Sequence, residues 1–145
     1  PKTTFVSKFL GQSNLFVGSV VDSNASSISI EVGGHKITAP KDRAEKHTGK
    51  VAIGVRPEKA TFHRTQPKLG SDHVLVGPGE IIDIRFTGVS NQYLIDIPNV
   101  GSVTVFAQNV GISPVIELGE KVWVSWKVEH SFGLSDLPDG TEDGE

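Results

Sequence analysis

"KVAIGVRPEKATF", residues 50–62, decides the fold. "KVAIGV" reads as an apolar strand, and the strand stops at Pro57, which has no N–H to give to a neighbouring strand. In the two-residue repeat of an extended chain, Arg56 and Glu58 project to one side and Pro57 to the other, and Pro57 holds Arg56 extended. The strand therefore ends rigidly, with a guanidinium and a carboxylate side by side and Phe62 close behind. Two readings of the pair stay open. It is either a local buttress, worth up to about 1 kcal/mol if exposed, or a fixed arginine able to grip a carboxylate in bidentate fashion at a subunit or domain contact.

The same pattern returns 71 residues later, where "KVWVSWKVEH" (121–130) falls on "KVAIGVRPEK" (50–59). Lys50, Val51 and Glu58 match Lys121, Val122 and Glu129; Ile53 and Val55 meet Val124 and Trp126, and Arg56 meets Lys127. Each stretch ends a similar series of strand, turn, strand, tight glycine turn, strand, loop and strand. The first series is "LFVGSVV", the turn "DSNASS", "ISIEV" with Ile28, Ile30 and Val32 on one face, the hairpin signal Gly33-Gly34, and "HKITA". The second is "EIIDIRF", a turn at 88–92, "YLIDI", a turn at 98–101, and "SVTVFA". Residues 63–79 read as a crossing loop with a short strand at 73–76. The expectation is an all-β chain of two intertwined OB-like small β-barrel units, about 15–62 and about 79–134 within a 13–134 domain.

The one helix expected lies at 1–12, "PKTTFVSKFLGQ". Thr3 or Thr4 can cap it, Phe5/Phe9 and Val6/Leu10 pair one turn apart, and Gly11 suits its end. Pro1 reads as an excised start, and the acidic stretch 135–145 as a flexible tail.

Composition excludes much. The 145 residues contain no cysteine, so thiol catalysis and zinc-cysteine sites are out. Net charge is −3 with both signs spread along the chain, which gives no electrostatic footprint for nucleic acid. Gly49-Lys50 lacks the upstream glycine of a phosphate-binding loop, and no G-x-S-x-G elbow occurs. His35, His47, His63, His73 and His130 are scattered without metal-ligand spacing. Asp83 and Asp96, flanked by isoleucines, read as the polar outward face of strands rather than as an acid/base pair. Trp126 shares a strand face with Val122, Val124 and Val128 and reads as core. Trp123, on the other face with Ser125 and Lys127, reads as covered by the other half or by another chain.

"FVSKFLGQSNLFVGSV", "VAIGVRPEKATF", "GEIIDIRFTGVSNQYLIDI" and "LGEKVWVSWKVEHSFGL", in that order, resemble the C-terminal regulatory (TOBE, transport-associated OB) region of ABC importer ATP-binding subunits. Spermidine/putrescine-, iron- and maltose-type importers match best, over about residues 5–134. The resemblance implies a regulatory and dimerisation region that holds an ATPase dimer together and modulates transport, polyamine-type import being favoured. It also implies that ATP and Mg bind only in a separate ATPase domain, so no catalytic, cofactor or metal residue is expected here. The implied partners are a second copy, the subunit's own ATPase domain and the importer's membrane subunits, with no nucleic acid. The implied location is cytoplasmic, at the inner face of the cell membrane. Asn14, Phe16, Arg56, Glu58 and Trp123 are the expected dimer or domain contacts. The alternatives are a sensor for a small oxyanion or solute, and a free-standing OB-type nucleic-acid module.

Overall fold

A computed structural model describes residues 13–44, 48–86, 88, 90–108 and 116–134. The expected helix at 1–12 and tail at 135–145 lie outside the described residues. Within them the chain is all-β. The strands are β1 (Asn14–Ser23), β2 (Ser27–Val32), β3 (His35–Pro40), β4 (Lys50–Val55), β5 (Thr61–His63), β6 (His73–Phe86), β7 (Ser90–Ile97), β8 (Gly101–Gln108), β9 (Lys121–Lys127) and β10 (Phe132–Leu134). They form two five-stranded antiparallel sheets, ordered β10-β4-β1-β2-β3 and β5-β9-β6-β7-β8.

Each half of the chain gives its last short strand to the other half's sheet. β5 follows β4 but pairs with β9, through Thr61↔Ser125 and His63↔Trp123. β10 follows β9 but pairs with β4, through Phe132↔Gly54 and Leu134↔Ala52. The crossings are made by two 3-10 turns, Pro57–Lys59 and Val128–His130, which fall at the 71-residue offset of the sequence repeat. Pro57 starts the first turn with its ring buried while Arg56 and Glu58 stay exposed, so the proline that ends β4 also steers the chain into the other sheet. A parallel bridge, Ala44↔Gly133, brings the chain just past β3 against β10, so the first sheet curls towards closure.

The halves also share a bulge. Register shifts lie between Val20 and Asp22 in β1 and between Ile81 and Asp83 in β6. Each leaves an apolar residue, Val21 or Ile82, outside the alternation and exposed. The strand predicted at 73–76 is not a separate piece: β6 runs from His73 through Gly77-Pro78-Gly79 to Phe86. A Gly-Pro-Gly run signals a break, but here a register shift between Val76 and Gly79 absorbs it and the ladder to β9 resumes at Gly79↔Val122. Gly77 has φ 131°, and a Cβ there would meet Trp123 at 3.0 Å.

Inward alternation from both sheets builds one continuous core that includes Ile28, Ile30, Ile53, Val55, Val76, Ile81, Ile95, Val124 and Trp126. At its centre the Phe16 ring of the first sheet stacks on Trp126 of the second, with centroids 5.4 Å apart and planes 11° apart. The indole N–H of Trp126 donates to the buried Ser131 hydroxyl at 2.7 Å, which satisfies its one polar atom. Trp126→Ala should cost about 3–5 kcal/mol in urea unfolding, the range for deleting a large buried aromatic. A cost under about 1 kcal/mol would contradict this packing.

Candidate functional site

The expected contact residues divide into two groups. Asn14 and Phe16, at the start of β1, are buried and join the two sheets of this chain. Asn14 faces the backbone of Thr104 in β8 and meets it as a strand would: its amide nitrogen donates to the Thr104 carbonyl, and its amide oxygen accepts from the Thr104 N–H, both at 2.8 Å. The carboxamide thereby satisfies two backbone groups on the outer edge of the second sheet. Phe16 is occupied by Trp126. Both are contacts between the two halves of this chain.

Arg56, Glu58 and Trp123 face outward. The Arg56 Nε lies 2.9 Å from Glu58 Oε2, with both side chains about half exposed. That hydrogen bond holds the Glu58 carboxyl below the usual glutamate range. Trp123 is half-buried on the outer face of the second sheet, packed against Gly77, with the Lys121 ammonium 5.8 Å from its ring centre. Ser125, on the same face, is buried and hydrogen-bonded to His63 at 2.7 Å. Burial, and then the neighbouring His73, push the His63 imidazole below its ordinary value.

A seam between the halves escaped the sequence reading. The β2–β3 turn touches the β7–β8 turn: a Cβ on Gly33 would run into the Asn99 carbonyl oxygen. Both residues have positive φ, 57° at Gly33 and 67° at Asn99. Next to it, the His35 Nε2 lies 3.0 Å from the Gly77 carbonyl and 3.2 Å from its N–H. The signal for this seam was only the glycine and asparagine at two hairpin tips, which suits any hairpin. Among the described residues there is no group of three or more His, Asp or Glu able to hold a metal ion. Of the described histidines, His63 and His73 pair with Ser125 and Asp72, and His35 with the Gly77 backbone.

The comparisons agree with this architecture. A family model described as TOBE domain matches residues 53–134. The spermidine/putrescine import ATP-binding protein PotA of Thermobifida fusca is 27% identical over 135 residues, covering 92% of this chain and 34% of its own length. PotA of Frankia alni is 29% identical over 153 residues, with 92% and 30% covered. PotA of Treponema pallidum is 24% identical over 147 residues, with 94% and 39% covered. The chain thus spans about a third of the length of these relatives. Among solved structures, the molybdate-bound form of the cytoplasmic molybdate-binding protein ModG superposes with a TM-score of 0.69 at 15% identity, covering 83% of this chain and 94% of that one. At that identity the likeness is one of fold.

The exposed ion pair generates a test. The Glu58 carboxyl is held low, so its contribution to stability is present above the unfolded-state value and lost as pH falls through the lower folded value. Arg56→Ala should raise the Glu58 pKa towards the ordinary range in an NMR titration and cost no more than about 1 kcal/mol at neutral pH. An unmoved Glu58 titration would show that the two side chains do not pair in solution.

Proposed function

The chain belongs to the TOBE-domain family, and from that premise we propose that it is the regulatory and dimerisation region of the ATP-binding subunit of an ABC importer of the polyamine type. The observation that carries the reading is the alignment of nearly the whole chain with about a third of each PotA relative. The absence of a phosphate-binding loop from the sequence fits a division of labour in which ATP and Mg bind in a separate domain. In this reading each sheet is an OB-like barrel that has exchanged its last strand with the other. The partners are a second copy of the chain, the subunit's ATPase domain and the importer's membrane subunits, on the cytoplasmic face. A contact that persists while ATPase domains part keeps the two ATP sites at high effective concentration, so each reclosure is an intramolecular step. Arg56, Glu58 and Trp123 are the outward residues of the expected set, and Trp123 is the aromatic suited to anchor a contact.

Sedimentation equilibrium over a wide concentration range tests this reading. The chain should approach twice its 15.5 kDa mass, and Trp123→Ala should weaken self-association while leaving the thermal midpoint nearly unchanged. A monomer at every concentration would contradict a self-sufficient dimer contact. If spermidine or molybdate raised the thermal midpoint of that monomer, the sensor alternative would take its place.

A further inference from the structure

β6 outruns its neighbour. Its ladder to β9 ends at Glu80↔Lys121, while its ladder to β7 continues to Phe86↔Asn91. Ile81 is still tied on the β9 side, its N–H bonded to the Glu120 carbonyl and its carbonyl to the Gly119 N–H. Beyond it, residues 82–86 have no strand beside them on that edge among the described residues. The bulge between Ile81 and Asp83 breaks the alternation, and beyond it every second residue turns its N–H and C=O towards this edge. The Ile84 N–H donates to the carboxylate of the adjacent Asp83 at 3.0 Å. Apolar side chains are exposed on this edge: Ile82 is 45% and Phe86 71% exposed.

The sequence of this edge is its own complement. Laid antiparallel on a second copy about Ile84, "DIR" (83–85) places Asp83 opposite Arg85 and Ile84 opposite itself, with the exposed Ile82 and Phe86 on either side. Asp83 and Arg85 already form an exposed ion pair within the strand at 3.2 Å, and it would exchange for two equivalent pairs across the contact. The corresponding edge of the first half has no such sequence. Past its bulge β1 offers only Asp22 and Ser23 before ending, and Asp22 is held by Lys36 at 3.1 Å.

We propose that residues 82–86 of β6 form a self-pairing edge, on which a second copy of this chain docks antiparallel with its two-fold axis at Ile84. The proposal rests on the dimerisation reading above and gives it a surface distinct from the Trp123 face. Pairing supplies the outward backbone groups of residues 82–86 with partners, covers Ile82 and Phe86, and joins two three-stranded ribbons (β6, β7, β8) into one six-stranded sheet.

Charge reversal tests the register. Asp83→Arg leaves two arginines on each copy at the contact and Arg85→Asp two aspartates on each copy, so each variant alone meets itself with two like-charge pairs. Each should raise the dimer dissociation constant roughly tenfold or more in sedimentation equilibrium, with an unchanged circular dichroism spectrum. An equimolar mixture of the two variants should recover dimers of near wild-type affinity, because every cross-strand pair is then opposite in charge. A wild-type dimer indifferent to both changes would overturn this edge and leave dimerisation through another surface standing. Weakening by either variant without recovery in the mixture would overturn the antiparallel register. A wild-type chain that is monomeric throughout would overturn both the edge and the dimerisation reading.

Discussion

The structure depends on the exchange of two three-residue strands. β5 completes the sheet built by the second half, and β10 completes the sheet built by the first. Neither sheet has its fifth strand without the other half of the chain. Two short strands contribute little by themselves, but each carries the chain across a shared core in which Phe16 and Trp126 stack face to face. Around that stack the halves are fastened by groups that act in pairs: the Asn14 carboxamide on the Thr104 backbone, the His35 ring at Gly77, and the Gly33 backbone against Asn99. Loosening one half would strip hydrogen-bond partners and apolar cover from the other. The consequence is one cooperative body in place of two small barrels, each of which would be marginal at half the chain's length.

The two halves offer different contacts despite their shared plan. Both bear a bulge with an exposed apolar residue, and among the described residues β6 continues further beyond its bulge than β1 does.

Much of the fold was legible because β-structure writes a two-residue period. The alternation in 28–32 and 51–55, and the likeness of 50–59 to 121–130, carried the strand order and the duplicated plan. Trp126 was legible as core for the same reason. The extent of β6 was not. Gly77-Pro78-Gly79 looks like a stop, and only the neighbouring ladder to β9 shows that the strand resumes. That Asn14 meets the other half of its own chain was not legible, since a sequence cannot say which half supplies the partner at a separation of 90 residues. The open edge at 82–86 was hidden likewise: its alternating apolar and charged residues read as an ordinary half-buried strand until the end of β9 is placed beside Glu80.

Native-state hydrogen exchange in increasing urea tests the interlock most directly, through the amides of β4 and β9, the strands that receive the exchanged segments. If the two halves form one cooperative unit, amides in both strands will open only with the whole molecule and merge at a single free energy. Separate opening energies for β4 and β9, with one half exchanging while the other stays protected, would contradict it.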